Sequence, residues 1–409
     1  MIGQLEVVLH GTLVGTITNT PGDVNVISID ETYANSPNAP VLSFKAFRDL
    51  RTGAFRRSIR ATQTVVHPYF SNLLPEGPLR EYLARHAHVK PIRDFPLLWV
   101  LGRDLPGAVE LRDPDGRPMP PHDGDGGRAE ELDSDMSVLR FSLAGVQLKF
   151  SATGDPQRGL TIPVGGMGGK WILKLPDRRF DLVPENEFSM MTFARNVGLN
   201  VPRVGLVESS AVQGLPQDIQ AAGNAYYIER FDRASDGGRI HTEDFAQANA
   251  LYPADKYKRF NYDMLVEQVA QLMGTEASLN LIRRIVFNIG IGNGDMHAKN
   301  WSVIYRDRRT PELAPAYDYL STIVYSPNDD LGMNLSDTKR FSEIDAAAIV
   351  RLASRARLPR KPVLDAAFDM VARMREVWPS LASSLPLTRE QRQAISAHMD
   401  RVPLFGTAA

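Results

Sequence analysis

Gly294-Asp295-Met296-His297-Ala298-Lys299-Asn300 is the stretch on which the reading of this 409-residue chain turns. It follows an apolar, helix-like run ending near Gly290 and precedes the strand-like Trp301 to Tyr305. An aspartate five residues ahead of an asparagine, on a loop entering a strand, has the spacing of a kinase catalytic loop. The chemistry asks for that pair. One carboxylate must accept or orient the proton of an acceptor hydroxyl, while an amide oxygen holds Mg2+. Lys299 can neutralise charge on the phosphoryl group in transit. Read alone, the same residues are also compatible with a polar turn capped by Asp295.

Downstream, Trp301 to Tyr305 and Leu313 to Ala316 can pair as a hairpin that returns Tyr317-Asp318 towards Asn300. A carboxylate delivered there completes an oxygen site of the kind Mg2+ prefers. A eukaryotic protein kinase would have Asp-Phe-Gly; here the run is Asp318-Tyr319-Leu320, so the chain is not a standard member of that class. By itself Asp318 would pass for a turn carboxylate.

Upstream, Lys174 lies inside the apolar strand Trp171-Ile172-Leu173-Lys174-Leu175, a setting in which lysine usually has a partner or a ligand. In kinases such a lysine contacts the ATP phosphates and is held by a glutamate of the next helix. Glu187 suits that place, with Glu185 as the fallback. The alternative is an edge-strand lysine facing solvent. Two glycine-containing turns precede it, in Phe141 to Lys149 and in Gly165 to Gly169. Either can turn backbone N–H groups towards phosphates, and neither is a Walker A sequence.

The rest of the chain falls into place around these points. Leu5 to Ile17 reads as a hairpin turning at His10-Gly11. Pro78 to His86 and Phe95 to Leu101 read as short helices, and Ala108 to Leu111 as a strand. Asp113 to Gly127 holds four prolines and four glycines with only Met119 to bury, the composition of a linker or exposed loop. Val138 to Phe141 and Gln147 to Ser151 read as one strand pair, and Leu160 to Val164 with Trp171 to Leu175 as another. Pro184 opens a helix that Gly198 closes. Tyr262, Leu265, Val269 and Leu272 share one helical face, as do Leu279, Ile282, Val286 and Ile289. Ser342 with Asp345 resembles a capping box, and Pro362 to Ser380 gives a further helix. The expected fold is α+β, a two-lobed kinase-like fold. It has a strand-rich N-lobe over 137–232, a mainly helical C-lobe over 233–409, an additional small N-terminal α/β subdomain over 1–112 and a linker over 113–136.

Composition limits the alternatives. With no cysteine, thiolate zinc sites, disulfides and cysteine nucleophiles are excluded, and a reducing compartment fits. A formal net charge of -1 argues against electrostatic binding to nucleic acid by the chain alone. Its eight histidines show no metal-ligand spacing, and no G-x-S-x-G elbow supports a serine hydrolase. The basic runs Arg351 to Lys361 and Arg56 to Arg60 read as solvated faces before DNA contacts. The N-terminus has no signal-like pattern and nothing is long enough to span a membrane, so the expectation is cytoplasmic with no membrane partner.

Ser142 to Lys149, the Lys174 strand, Glu229-Arg230-Phe231-Asp232-Arg233, Gly294 to Asn300 and Tyr317-Asp318 occur in an order that resembles the HipA family of bacterial toxins. Phe70 to Gly77 and Gly102 to Val109 are similar to that family's N-terminal domain. The resemblance implies an ATP- and Mg2+-dependent serine/threonine protein kinase, the toxin of a type II toxin–antitoxin module. It implies that Ala144, Gly145, Val146, Gln147, Leu148 and Lys149 form the phosphate loop and that Lys174 with Glu187 serves the phosphates. Glu229, Arg230 and Phe231 would supply the adenine side, and His297, Ala298, Lys299, Asn300, Tyr317 and Asp318 would line the nucleotide and metal site. Asp295 would be the catalytic aspartate, with Lys299 beside it, Asn300 and Asp318 the metal ligands, and Ser142 a regulatory autophosphorylation site. Val146 and Leu148 make this loop more apolar than in the best-known members. The implied partners are a HipB-like helix-turn-helix antitoxin, operator DNA only through that antitoxin, and a translation protein such as an aminoacyl-tRNA synthetase as substrate. Other readings compatible with the residues are a kinase-like binding or co-repressor protein without catalysis, and a small-molecule kinase.

Overall fold

The computed structural model describes residues 3–46, 60–116, 148–156, 159–162, 169–177, 179–215 and 222–406. The 117–147 stretch, which carries most of the expected linker, the Val138 to Phe141 strand and the phosphate-loop positions up to Gln147, lies outside the described residues, as do Arg56 and Arg57 and residues 165–168 of the second glycine turn. The chain divides into two compact units: 1–175 with 207–253 and 303–310, and 176–206 with 254–302 and 311–409. The helix after Lys174, expected in the strand-rich lobe, belongs to the second unit. So does the loop Gly294 to Asn300, whereas the strand residues just after it, 303–310, return to the first.

In the first unit, β1 (Gly3–Leu9) turns at His10 and Gly11, both at positive φ, into β2 (Thr12–Thr20). With β3 (Val24–Ile29), β4 (Thr62–Gln63) and β5 (Val109–Arg112) they form an antiparallel sheet ordered β4-β3-β2-β1-β5. Leu5, Val7 and Leu9 alternate inwards on β1 as the period of two requires. They pack in one core with Phe95, Leu97, Leu98 and Leu101 from the helix Asp94–Leu101.

A second sheet of the same unit holds β6 (Lys149–Asp155), β7 (Gly159–Thr161), β8 (Trp171–Lys174) and the strand Asn224–Glu229. Its order corrects one expectation. β7 and β8 do not pair with each other; both flank β6, and β8 pairs on its other side with Asn224–Glu229. A chain leaving an antiparallel partner can cross that partner before pairing again, and period-two patterning carries no information on which neighbour it takes.

The second unit is helical. Its helix Val183–Asn196 has Pro184 in the first turn, as read from sequence, and Gly198 follows at φ 87°. Tyr262–Ile291 is two helices joined at Gly274, whose φ of 83° and ψ of -173° break the helical path between the two apolar faces seen in the sequence. The helix Ala346–Arg355 is capped by Asp345 itself, which accepts from Ala348 N–H at 2.8 Å, in place of the expected Ser342. Arg360–Leu381 and Arg389–Arg401 complete the bundle. Phe193, Phe287 and Trp378 meet at its centre, with ring centroids 5.2 and 5.0 Å from Phe193.

Candidate active site

The candidate chemistry of the second unit is built at the end of helix Tyr262–Ile291. Gly292 terminates that helix at φ 65°, and its N–H bonds back to Ile289. Asn293, wholly buried, then uses its side chain as a bracket. Nδ2 donates to Asn288 Oδ1 at 2.9 Å and to the Asp318 carbonyl at 3.2 Å, while Oδ1 accepts the Asp295 N–H at 3.1 Å. One amide therefore ties Asp295 and Asp318 to the same helix end. Asn300 closes the loop by donating from Nδ2 to the Asp295 carbonyl at 3.0 Å, which makes Oδ1 the end of the amide not engaged by this bond. His297 caps the short 3-10 turn Ala298–Asn300, and the strand Ser302–Tyr305 follows.

The expected return of Tyr317-Asp318 is visible in its bonds. Ala314 N–H donates to the Ser302 carbonyl at 3.0 Å and Tyr317 OH to the Lys299 carbonyl at 2.9 Å. Buried Arg284 holds the Ala314 carbonyl at 2.7 Å. Beyond Asp318, Ser321 is clamped by Asn186 of helix Val183–Asn196, its N–H donating at 3.1 Å and its carbonyl accepting at 3.0 Å. Asp318 takes φ 57°, left-handed backbone that a non-glycine residue adopts at some cost and that recurs at functional sites.

Sequence reasoning missed several members of this constellation. Tyr257 donates its hydroxyl to Asp295 Oδ1. Its ring stands edge-on to His297 at 4.9 Å. Thr322 Oγ1 accepts the Gly294 N–H at 2.8 Å and donates to Asp329 Oδ2 at 2.5 Å. A Cβ on Gly294 would stand 2.2 Å from that same Asp329 oxygen, so only glycine lets the 329–330 segment lie against the loop. No spacing template links Tyr257, Thr322 or Asp329 to Asp295. The one sequence signal was a pair of carboxylates, Asp329-Asp330, soon after Asp318.

The electrostatics follow from this crowding. Asp295 still reaches solvent, so what acts on it is nearby protein rather than full enclosure, and that partial desolvation pushes its pKa up. The Tyr257 bond and the Lys256 charge pull it down, while Asp318 and Asp329 push it up further. Among the described residues no group of three or more His, Asp or Glu side chains is placed to hold a metal ion by itself. Asn300 and Asp318 offer oxygen donors only. That set fits Mg2+, which keeps waters and phosphate oxygens in its shell and asks little of the protein.

Of the remaining predicted residues, the first unit holds Lys149, Lys174, Glu229, Arg230 and Phe231. Lys174 is 7% exposed, 5.7 Å over the Tyr226 ring, and directly opposite Lys149 in the β6–β8 register. Glu229 pairs with Lys170 at 3.1 Å. Arg230 belongs to the run expected on the adenine side. Its guanidinium is not offered to a ligand: 1% exposed, it holds Asp232 at 2.8 Å and Asp104 at 3.4 Å, and its N–H bonds the Lys170 carbonyl. Arg233 joins the same cluster, bonding Asp104 and Asp232 at 2.9 Å each. Burial alone would raise the Asp232 pKa, but the two guanidiniums outweigh it and hold the carboxyl well below the usual range. Glu187, buried at 4% exposure, belongs to the second unit. Leu148 packs against both cores of the first unit. Ser142, Ala144, Gly145, Val146 and Gln147 lie outside the described residues. In the basic run of the second unit, Arg355 meets Asp263 and Asp337, Arg351 meets Asp337, and Lys361 meets Asp365, as a solvated face would. Among the described residues no helix is long and apolar enough to cross a membrane.

Comparison with known proteins adds the relatives. Residues 5–112 match the HipA N-terminal domain model and residues 141–378 the HipA-like C-terminal domain model. A putative kinase, Y4dM, of Sinorhizobium fredii is 45% identical over 98% of this chain and 97% of its own. A second putative kinase of that organism, Y4mE, is 32% identical over 84% and 83%. The serine/threonine-protein kinase toxin HipA of Shewanella oneidensis is 24% identical over 82% of each chain. A solved complex of Shewanella oneidensis HipA, HipB and operator DNA superposes with a TM-score of 0.72 at 22% identity, covering 98% of this chain and 96% of that one, so the two share a fold.

Proposed function

The chain belongs to the HipA family, and on that premise we propose that it is an ATP- and Mg2+-dependent serine/threonine protein kinase, the toxin of a HipBA-like toxin–antitoxin module. One observation carries the reading. Asn293 and Asn300 bind Asp295, Asp318 and the end of a buried helix into a single bonded cluster, the juxtaposition that phosphoryl transfer needs. In this reading the Asp295 carboxylate takes the acceptor hydroxyl's proton as that oxygen bonds the γ-phosphorus. ADP then leaves with the electron pair of the broken P–O bond. Lys299 supplies positive charge beside the transferring group. Asn300 and Asp318 would hold Mg2+, which when bound neutralises charge on the phosphates. Lys174, Lys149 and the backbone of 144–148 would meet the phosphates. Glu229, Phe231 and the backbone of Arg230 would meet adenine, with His297, Ala298 and Tyr317 lining the site.

Calorimetry tests the nucleotide site. ATP binding should require Mg2+ and weaken in Asn300→Ala and in Asp318→Ala. Equal affinity in wild type and both variants would remove these residues from the site. Mass spectrometry after incubation with Mg·ATP should also find phosphate on Ser142. A modified Ser142 would place roughly -1.5 to -2 charge beside the phosphate loop and lower ATP affinity. Finding it unmodified while other acceptors are phosphorylated removes the regulatory role and leaves the kinase.

The partner proposed is a HipB-like helix-turn-helix antitoxin that carries this chain to operator DNA. The similar Shewanella complex contains HipB and operator DNA beside HipA, and a net charge of -1 gives this chain little hold on phosphate by itself. Co-purification from the native operon should recover a small DNA-binding protein. Tight, sequence-specific operator binding by this chain alone would contradict the assignment. A translation protein such as an aminoacyl-tRNA synthetase is the substrate class that the family resemblance implies.

A further inference from the structure

The segment just ahead of helix Tyr262–Ile291 has no part in the motifs read from the sequence, yet it meets the catalytic loop at several points. The Lys256 carbonyl accepts the Ala298 N–H at 3.2 Å, the Tyr257 ring stands edge-on to His297 at 4.9 Å with an interplanar angle of 78°, and the Tyr257 hydroxyl donates to Asp295 Oδ1. Lys256 is buried, and its ammonium lies 5.4 Å over the Tyr257 ring. These contacts have different consequences. The backbone bond and the ring contact fix the shape of the loop, and any aromatic residue could supply the second. The hydroxyl bond does something more particular, because it ends on a carboxylate oxygen of the residue proposed as the base.

We propose that Tyr257 is a positioning residue for phosphoryl transfer, its hydroxyl anchoring Oδ1 of Asp295 so that Oδ2 is the oxygen presented to the acceptor hydroxyl. The inference rests on the kinase reading above. Asp295 stands on a loop whose backbone is fixed by Asn293, Asn300 and Thr322, but none of those bonds reaches its carboxyl oxygens. Rotation about the terminal torsion of an aspartate is soft. Without a donor on one oxygen the carboxylate would sample orientations in which neither lone pair faces the acceptor, and geometry of that kind is worth orders of magnitude in rate. Tyr257 supplies the donor, and its ring is held in turn by His297 and Lys256.

The test is Tyr257→Phe in the full chain, which deletes one hydroxyl and keeps the ring. Phosphate transfer from Mg·ATP to a serine-containing peptide library should fall roughly 10–100-fold in kcat. The KM for ATP and the melting temperature should stay at wild-type values, because the substitution keeps the ring against His297 and deletes a hydroxyl whose bond ends on the Asp295 carboxylate. Adding Tyr257→Phe to Asp295→Asn should lower the residual rate no further, since a residue that acts through another is silent once that other is gone. Wild-type or higher kcat in Tyr257→Phe would overturn the proposal, the second by showing that the hydroxyl occupies the acceptor's place. Phosphate recovered on Tyr257 itself would do the same, as would a loss of ATP affinity and melting temperature in proportion to the loss of rate. A wild-type chain that transfers no phosphate at all is a separate outcome, which removes the kinase reading on which the role depends.

Discussion

Asp295 and Asn300 could be picked out of the sequence because their relation is local: five residues apart, on a loop between a helix and a strand. Asp318 could be recovered by extending one hairpin. Tyr257, Thr322 and Asp329 could not, since their approach to Asp295 depends on how separate segments pack, and a tyrosine or threonine carries no spacing signature. Gly294 shows the same limit from the other side. It reads as an ordinary turn glycine, yet its lack of a side chain is what admits Asp329 to Thr322. Gly294→Ala should therefore push the 329–330 segment off the loop, because its Cβ would meet Asp329 Oδ2 at 2.2 Å and the Asp330 carbonyl at 2.6 Å. Overpacking of this kind costs about 1–3 kcal/mol. A melting temperature at the wild-type value together with unchanged activity would show that the segment yields freely.

At the scale of elements, strand existence was readable and strand partnership was not. The alternation in Leu5 to Ile17 marks the first hairpin, whereas β7 and β8, read as partners, both pair with β6 instead of with each other. The strand His241–Asp244 illustrates a property no pattern discloses. Its Glu243 is buried in the first unit, where Oε1 accepts Phe44 N–H at 2.9 Å and Tyr305 OH at 2.5 Å. Burial dominates, and the pKa rises from 4.5 to about 7 despite the bonds from Ser43, Tyr305 and Phe44; Asp244 adds to the rise. The folded state therefore binds this proton more tightly than the unfolded chain does. Its contribution to stability is complete below pH 4.5 and is lost as the pH climbs towards 7, a swing of at most about 3 kcal/mol. His241 and His67 act in the opposite sense, since burial lowers both to about 4 and stability falls as the pH drops from 6.5 through that value. Glu243→Gln isolates the first effect. Thermal denaturation between pH 5 and pH 8 should show the variant gaining stability relative to wild type as the pH rises, and parallel curves would mean that Glu243 is not carrying a buried proton.

For the molecule as a whole, the sequence conveyed the order of strand-rich and helical regions and the small N-terminal sheet domain, which the HipA N-terminal model covers over 5–112. It misjudged how the chain is shared out. Helix Val183–Asn196 was assigned by adjacency to the strands before it, but its Phe193 packs on Phe287 and Trp378, and its Asn186 clamps Ser321, so packing joins it to the helical unit. A buried apolar face does not announce which of two cores will receive it. The measurement that bears most directly on the account is phosphate transfer from Mg·ATP by wild type and by Asp295→Asn, with ATP binding followed in parallel. The variant keeps the size of the side chain and its loop, so binding should persist while transfer falls by about 10²–10⁴-fold through loss of the base. An Asp295→Asn protein that transfers phosphate at the wild-type rate would contradict the assignment of this loop as the catalytic centre.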